Sequence, residues 1–484
     1  MTLDGALDMN ITKASHPPTH THTQKTESTR AMAKVHVLVL PLPAQGHVTP
    51  LMELSHRLVD RGFEVTFVTT EFHHKLVVGA LPPASGAAAL GGVHLASIPD
   101  GLADGDDRKD VSKMLRASSQ HLERLVGEME AAGRPKVRWL VGDVNMGWSF
   151  EVAKRLGIRV ASFWPASMAC FAVILKIPQL IDDGLIDENG WPQREETFQL
   201  APGMPPLHTS LLPWNDVAGE PEGQSVIFQT ITRNNELNAV AEMVICNSFH
   251  EAEAGAFKLF PDVLPVGPLF ADGDLKKAVG HFLPEDGRCL RWLDAQADGS
   301  VVYVAFGSLA VFDRRQVEEL AEGLELTGRP FLWVVRPDFT AGLSEAWLSD
   351  FQHRVAGKGM IVSWCSQQQV LAHRAVACFV SHCGWNSTME GVRNGVPFLC
   401  WPYFGDQHLN RSYITSVWRT GLAVSPGADG LVSKEELRSK VDQVIGNGEI
   451  KERAKLFMDA ARRCISEGGS SYENLTRFVK LLSE

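Results

Sequence analysis

Two series of apolar strands, each followed by a helical pattern, constrain the fold of this chain most strongly. The first series begins with VHVLVL at residues 35–40, a continuous apolar run typical of a strand buried on both faces. Thr49 is predicted to cap the helix that follows, with Pro50 at its first position and Gly62 beyond its end. The buried face of that helix is predicted to be Leu51, Leu54 and Leu58. FEVTFVT predicts the next strand, and a strand–helix–strand unit of this kind indicates a parallel sheet.

The second series begins at Val301 and repeats the same order of elements. VVYVAF predicts a strand, and Asp313 with Gln316 predicts a capping box at the start of the next helix, which Gly328 ends. The buried face of this helix is predicted to be Val317, Leu320, Ala321 and Leu324. FLWVV, MIVSWC, VACFVSH and PFLCWP predict further buried strands.

A stretch rich in proline and glycine, LPVGPLFADGDLKKAVGHFLPEDG, separates the two series and is typical of a linker between domains. The sequence therefore predicts an α/β protein with two Rossmann-like domains, whose parallel sheets face a cleft between them. The predicted divisions are a disordered extension over residues 1–32, with a transit peptide as the alternative, an N-terminal domain over 33–262, a linker over 263–298 and a C-terminal domain over 299–484. The final helix is expected to pack back on the N-terminal domain.

Charge and cysteine content restrict the possible partners and the compartment. A net charge of −11 over 484 residues argues against nucleic acid and anionic membranes as partners. The eight cysteines show no paired or metal-binding spacing, so we expect buried, reduced thiols and a reducing compartment. Because no apolar run approaches the ~18 residues that span a bilayer, we expect a soluble protein. We also expect it to be cytoplasmic and monomeric.

Residues 364–407 carry the polar side chains that indicate a function. Within this stretch, HCGWNS lies where a predicted strand ends and a helix begins, which is a common anion site in parallel sheets. His382, Asn386 and Ser387 could hold a diphosphate there, and Ser308 after VVYVAF would reach the same edge. A local group of hydrogen-bond donors of this kind can bind an anionic ligand even though the protein as a whole is acidic.

Other residues of the stretch suit the remaining parts of a nucleotide sugar. Trp364 could stack a flat base, an interaction worth about 1–3 kcal/mol. Gln367 and Glu390 offer an amide and a carboxylate to ribose hydroxyls, and Asp406 with Gln407 suits the vicinal hydroxyls of a hexose. Each residue alone has an alternative interpretation, as a core tryptophan, a solvated carboxylate or a helix cap. Only the complete set at one sheet edge favours a binding site.

The stretch from W to DQ resembles the signature box of plant secondary-product UDP-glycosyltransferases, the family 1 enzymes with the GT-B fold. Its length of 44 residues and HCGWNSxxE agree with that box, and PAQGHVTPL, NSFHEAE, LPVGPL, RWLD and VAFGS extend the resemblance. DVNMGW and the FWPAS stretch are most similar to the subfamily numbered eighty-three A. The resemblance implies a UDP-sugar site at Ser308, Trp364, Cys365, Gln367, His382, Gly384, Trp385, Asn386, Ser387, Glu390, Asp406 and Gln407.

The same resemblance assigns individual roles. Trp364 would stack uracil, the Cys365 backbone would bind its edge, and Trp385 would contact the sugar. In the family a final glutamine goes with glucose, so Gln407 favours UDP-glucose over UDP-galactose. One departure concerns the residue after FW, which in the family is often a threonine or serine that reaches the sugar. Here it is Pro165, and Ser167 or the backbone is the alternative contact.

A general base is expected in the N-terminal domain. His47 follows the first strand, and Asp143 ends the strand WLVGD in the same domain. Histidine is a common base near neutral pH and an aspartate can fix its tautomer; both positions match the family's pair. The apolar acceptor is expected to contact Met146, Trp148, Phe163, Met168 and Phe171, with the loops over residues 80–105 and 185–225.

No metal or other cofactor is expected. The pairs Asp104/Asp106 and Asp272/Asp274 resemble a metal-binding DxD motif, but both lie in charged, glycine-rich stretches without a preceding buried strand. We expect His382 and a helix N-terminus to neutralise the leaving diphosphate instead.

The predicted function is inverting transfer of glucose from UDP-glucose to a hydroxyl of a phenolic, flavonoid or monolignol-like acceptor. A nucleotide-dependent oxidoreductase would need GxGxxG after the first strand, which PLPAQGHVTP does not supply. A UDP-sugar sensor without activity would typically lack the base that this chain retains.

Overall fold

The computed structural model describes residues 34–103, 105–106, 108, 119–215, 221–270, 277–339 and 344–484. The extension predicted over residues 1–32 lies outside the described residues, as do Asp104, Asp272 and Asp274.

Described residues of the N-terminal half form a seven-stranded sheet in the order β3-β2-β1-β4-β5-β8-β9, and all its neighbouring strands are parallel. The strands of this half are β1 His36–Leu40, β2 Glu64–Thr70, β3 His94–Ile98, β4 Val137–Asp143, β5 Arg159–Trp164, β6 Thr197–Phe198, β7 Leu207–His208, β8 Met243–Cys246 and β9 Val263–Pro265. Strands β6 and β7 form a separate antiparallel pair. The helices are α1 Gln45–Asp60, α2 Glu71–Gly79, α3 Ser119–Ala131, α4 Trp148–Arg155, α5 Met168–Leu175, α6 Ile177–Asp182, α7 Pro221–Asn238 and α8 Ala254–Leu259, with 3₁₀ turns at Gly86–Leu90, Val144–Met146 and Thr209–Leu211.

The C-terminal half forms a second parallel sheet, of six described strands in the order β12-β11-β10-β13-β14-β15. The strands are β10 Val301–Ala305, β11 Phe331–Val334, β12 Gly359–Val362, β13 Val376–Ser381, β14 Phe398–Cys400 and β15 Gly421–Ala423. The helices are α9 Arg288–Asp294, α10 Arg314–Leu326, α11 Glu345–Arg354, α12 Gln367–Leu371, α13 Trp385–Arg393, α14 Gln407–Ser412, α15 Lys434–Gly446, α16 Gly448–Ile465 and α17 Ser470–Ser483, with a π-helical turn at Tyr413–Val417. The predicted α/β class with two parallel-sheet domains is confirmed.

The order of strands places one switch point in each sheet. In the first sheet β2 and β3 are added on one side of β1, and β4 and the later strands on its other side, so the switch point lies between β1 and β4. In the second sheet it lies between β10 and β13. Ligands of open parallel sheets bind beyond the carboxyl ends of the strands at such points. The residues that follow these four strands are those in which the sequence analysis placed the base, its partner and the diphosphate site.

Helix α1 begins earlier than predicted. It starts at Gln45 after Ala44, so Thr49 does not cap it and Pro50 lies inside it. The Thr49 hydroxyl instead accepts a hydrogen bond from the Gln45 side chain at 2.8 Å. The predicted stripe of leucines is fully buried against the sheet.

Helix α10 begins as predicted, because the Asp313 carboxylate accepts a hydrogen bond from the Gln316 backbone N–H at 2.8 Å. Its predicted apolar face is buried. The capping box is only half formed, because the Gln316 side chain does not turn back to Asp313. Its Nε2 donates to the Val432 carbonyl, and its Oε1 accepts from the Val432 N–H.

Two elements cross the predicted domain boundaries. Strand β9 belongs to the N-terminal sheet although it lies in the stretch predicted as linker; a strand of three residues carries too little pattern to be recognised. Helix α17 packs Leu475, Phe478 and Leu482 into the core of the N-terminal domain. Among the described helices, none combines the length and apolar character that crossing a membrane requires. All eight cysteines are buried free thiols.

Candidate active site

The carboxyl ends of both sheets contribute to one cavity of about 340 Å³. Each residue predicted to bind the UDP-sugar lines it: Ser308, Trp364, Cys365, Gln367, His382, Gly384, Trp385, Asn386, Ser387, Glu390, Asp406 and Gln407. His47 lines it from the N-terminal domain, and Asp143 lies fully buried behind His47. The structure therefore brings the predicted donor residues and the predicted base to a single cavity.

His47 and Asp143 form a hydrogen-bonded pair at the first switch point. The His47 Nδ1 lies 2.6 Å from Asp143 Oδ2, and the imidazole is 23% exposed while the carboxylate is fully enclosed. The second oxygen of Asp143 accepts from the backbone N–H and the side-chain amide of Asn145, at 2.9 and 3.1 Å. With its orientation fixed in this way, the carboxylate favours the ring form with a proton on Nδ1. That form leaves Nε2 free to accept a proton.

Two glycines enclose His382 at the second switch point. A Cβ atom on Gly307 or on Gly384 would lie 2.4 Å from His382 Nε2, so any larger residue would displace the ring. Between His382 and Gly384, Cys383 takes a positive φ of 65°, a backbone conformation that residues other than glycine rarely adopt. The strained turn ends where α13 begins, with the free N–H groups of its first turn next to the histidine.

His382 is uncharged at neutral pH. Burial lowers the pKa of its imidazole to about 4, and the nearby Arg336 guanidinium adds to that effect. The predicted part of His382 in holding a diphosphate stays a prediction, and it would rest on a hydrogen bond. The neutral ring can still donate a hydrogen bond.

The cation behind this loop is Arg336, which the sequence analysis missed. Its side chain is buried and donates to the carbonyls of Gly307 and Ala310, the latter at 2.8 Å. Burial lowers the pKa of Arg336 only to about 10, so it stays charged at neutral pH. Its position two residues after β11, again at a strand's carboxyl end, was the signal that could have identified it.

Ser387, predicted for the diphosphate, and Tyr303 join Gln367 and Glu390 in the predicted ribose region. The Gln367 amide donates to Glu390 at 2.6 Å and to Ser387 at 2.8 Å, and accepts from the Tyr303 hydroxyl at 3.0 Å. Burial raises the pKa of Glu390 to about 7. Tyr303 was not predicted; its polar end orients Gln367 from within an otherwise apolar strand.

The linker contributes His281 to the region predicted to bind the uracil ring. Its ring meets Trp364 edge-on, with centroids 5.9 Å apart, and its Nδ1 lies 2.9 Å from Glu285. His281 lines the cavity beside Trp364, and a linker histidine carried no distinguishing pattern in the sequence.

The predicted sugar-binding pair is only partly available. Gln407 Oε1 accepts from the backbone N–H groups of Tyr403 and Phe404 at 2.7 and 3.2 Å, which leaves its Nε2 as the group to meet a sugar. Asp406 accepts from Asn410 at 2.8 Å, and burial raises the pKa of Asp406 to about 6. The Trp385 indole donates to the carbonyl of Asn247 at 2.7 Å, so its N–H joins the two domains and cannot contact a sugar.

The five side chains predicted to contact the acceptor do not line the cavity, whereas Pro213, from the predicted loop over residues 185–225, does. Met146, Phe163, Met168 and Phe171 lie in hydrophobic cores, and Trp148 packs partly buried against one. Phe171 instead supports Trp164 from behind, with the rings stacked 4.8 Å apart. Apolar residues at core and pocket positions look alike in a sequence, so the prediction had no means of separating them.

Other residues form the apolar side of the cavity. They come from β5, α5, α7 and the loops between them: Trp164, Pro165, Ala166, Cys170, Ile174, Pro213, Ile227 and Ile231. Pro165 therefore lies in the cavity, but Ser167 is fully buried and caps α5 by accepting from the Cys170 N–H. Ser167 is thus excluded as the replacement contact to the sugar.

Asp106, from one of the two aspartate pairs, accepts a hydrogen bond from the Ala103 N–H within its own loop, at 2.9 Å. In the part of the chain that the structure describes, no three histidine, cysteine or carboxylate side chains converge as metal ligands would.

Comparison with known proteins identifies the family. Residues 257–459 match the family described as "UDP-glucoronosyl and UDP-glucosyl transferase", and residues 33–82 match "Glycosyltransferase, N-terminal domain". UDP-glycosyltransferase 83A1 of Arabidopsis thaliana is 40% identical over 464 residues, covering 93% of this chain and 97% of that protein. The chain belongs to the plant UDP-glycosyltransferases. The resemblance seen in the signature box is thereby confirmed over almost the whole sequence.

Solved structures of other plant glycosyltransferases share the GT-B fold. Os79 from O. sativa in complex with UDP has a TM-score of 0.75 at 28% identity, covering 92% of this chain and all of that one. UGT2 of Phytolacca americana, complexed with UDP-2fluoro-glucose and pterostilbene, has a TM-score of 0.76 at 27% identity, with coverage of 93% and 100%. Like its family, this glycosyltransferase transfers a sugar from a UDP-sugar to a small acceptor.

Proposed function

We propose that this glycosyltransferase transfers glucose from UDP-glucose to a hydroxyl group of a small apolar acceptor, with inversion at the anomeric carbon. The observation that carries the proposal is the position of the His47–Asp143 pair. It lies at the same cavity as Asp406, whose carboxyl group interacts electrostatically with His47, and as the complete set of predicted donor residues. A base at the sugar end of the donor site is what attack by a hydroxyl requires.

The reaction follows from the roles of these side chains. His47 Nε2 takes the proton of the acceptor hydroxyl, and Asp143 stabilises the imidazolium that forms. The acceptor oxygen bonds to the anomeric carbon on the face opposite the diphosphate, while the bond from that carbon to the β-phosphate oxygen breaks. The amides at the start of α13, the neutral His382 and the positive charge of Arg336 favour the diphosphate that leaves.

Glucose is supported by Gln407 and by a relative, and an apolar acceptor is supported by the lining of the cavity. Gln407 offers its amide N–H to sugar hydroxyls, and the acceptor side of the cavity is mainly aliphatic and aromatic. Among relatives, 7-deoxyloganetin glucosyltransferase of Catharanthus roseus is 31% identical over 482 residues, covering 93% of this chain and 96% of that protein. A phenolic, flavonoid or monolignol-like alcohol fits such a lining.

The test is the variant His47→Ala, assayed for binding and for transfer separately. UDP-glucose should bind as it does to the unchanged protein, because the donor residues belong to the other domain. Transfer to a phenolic acceptor should fall at least about 10²-fold, the lower bound for a general base. A variant that keeps more than about a tenth of the rate would contradict the role of His47.

A further inference from the structure

The first turn of α1, which carries His47, is held by the linker through Gln45. Gln45 Nε2 donates to the carbonyl of Gly280 at 3.2 Å, and its Oε1 accepts from the N–H of Phe282 at 2.8 Å. These two bonds flank His281, the linker residue beside Trp364. The turn that positions the base is therefore attached to the part of the linker that lines the donor site.

The next residue, Gly46, is held by the C-terminal domain. In an α-helix its carbonyl would accept from the N–H of residue 50, but Pro50 has no N–H. Asn386 Nδ2 donates to this carbonyl instead, at 2.7 Å. The Gly46 carbonyl, which lacks a partner within α1 because of Pro50, therefore accepts a hydrogen bond from the other domain. Gly46 is the residue before His47.

Asn386 also stands at the predicted diphosphate site. It is the second residue of α13, a helix of nine residues whose first N–H groups lack partners within the helix. Its side-chain nitrogen carries two hydrogens, and the bond to Gly46 uses one of them. The second hydrogen remains for a phosphate oxygen of the donor.

We propose that Asn386 joins the leaving diphosphate to the Gly46 carbonyl, so that a bound donor fixes the position of the catalytic base. Pro50 serves this link by keeping the carbonyl free of a bond within α1. Asn386 and Pro50 are then positioning residues for His47. The inference rests on the proposed function, because it requires a diphosphate at the start of α13.

The test is the variant Pro50→Ala, which supplies the missing N–H and lets Gly46 bond within its own helix. Helix α1 gains a hydrogen bond and loses an unfavourable residue, so Tm should stay the same or rise. UDP affinity measured by calorimetry should not change. At saturating UDP-glucose, kcat with a phenolic acceptor should fall at least about tenfold, because small displacements of a catalytic group are costly.

One comparison tests whether Pro50 and Asn386 act through the same bond. In the Asn386→Ala background, Pro50→Ala should cause no further loss of kcat, because both changes break the same bond.

A second comparison does not depend on Pro50. At saturating UDP-glucose, Asn386→Ala should lower kcat. Unchanged kcat in Pro50→Ala, a lowered Tm in that variant, or a fully additive loss in the double variant would each overturn the inference. Failure of the unchanged protein to bind UDP or to release it from UDP-glucose would instead overturn the proposed function.

Discussion

Replacing Asp143 by asparagine should abolish most of the transfer activity although the side chain keeps its shape. At this position Oδ1 accepts two hydrogen bonds from Asn145, while Oδ2 faces His47 Nδ1 at 2.6 Å. In Asp143→Asn the amide oxygen should stay with the two donors of Asn145. The amide NH₂ then faces His47 and donates to Nδ1, which moves the ring proton to Nε2. The base is protonated at the atom that should accept a proton.

The size of the effect follows from the alternative orientation of the amide. Turning it over would leave the two N–H donors of Asn145 without this acceptor, but would return an acceptor to the Leu42 backbone N–H, which lies 3.4 Å from Asp143 Oδ2. The net difference of one donor, about 1–3 kcal/mol, holds the wrong tautomer and corresponds to a loss of roughly 5- to 150-fold. The upper end of that range reaches the lower bound for a general base, about 10²-fold.

The assay is kcat for Asp143→Asn at saturating UDP-glucose and acceptor, with binding of UDP measured alongside. Binding should not change. In the His47→Ala background the same substitution should have almost no further effect, because the two residues act as a unit. Asp143→Ala imposes no tautomer and should retain more activity than Asp143→Asn. An asparagine variant that keeps a third of the activity, or a further loss without His47, would refute the reasoning.

Donor affinity, donor selectivity and metal dependence each have an expected outcome. Ribose hydroxyls donate to the ionised form of Glu390, whose pKa burial raises to about 7, so binding below that pH requires loss of a proton. The Kd of UDP-glucose should therefore fall as pH rises from about 6 to about 8, and Glu390→Gln should flatten that dependence; a Kd that rises would contradict it. UDP-galactose should be used several-fold less efficiently than UDP-glucose, because an unmatched polar group costs about 1–3 kcal/mol, and Gln407→His should narrow the gap mainly by lowering glucose use. Equal kcat/KM for both donors would show that the sugar pocket is misinterpreted. Pro165, which replaces a threonine or serine that often reaches the sugar in the family, would be the first residue to re-examine. Activity should survive EDTA, and its loss with recovery on adding Mg²⁺ or Mn²⁺ would disprove metal independence.

The donor side of the cavity could be predicted because strand ends converge in a parallel sheet. Continuous apolar runs such as VHVLVL and VACFVS marked the strands, and the polar residues after them had to meet at one edge. The sequence could not show how these residues share their hydrogen bonds. Gln407 binds its own loop and Trp385 binds Asn247, and both contacts depend on the three-dimensional arrangement.

The acceptor side could not be predicted for a different reason. Along β5, Phe163 and Trp164 face opposite sides of the sheet, and only the packing of α5 and α7 decides which side is a pocket and which is core. The start of α1 was misplaced because Pro50 in a helix normally marks its first turn. Here a side chain from 340 residues away binds the carbonyl that proline leaves without a partner.

The anomeric configuration of the product tests the central claim most directly. The unchanged protein is incubated with UDP-α-glucose and a phenolic acceptor, and the glucoside is analysed by proton NMR. Direct attack by a hydroxyl that His47 deprotonates predicts a β-glucoside linked through oxygen. An α-glucoside, or the absence of any glucoside while UDP-glucose is bound, would contradict the account.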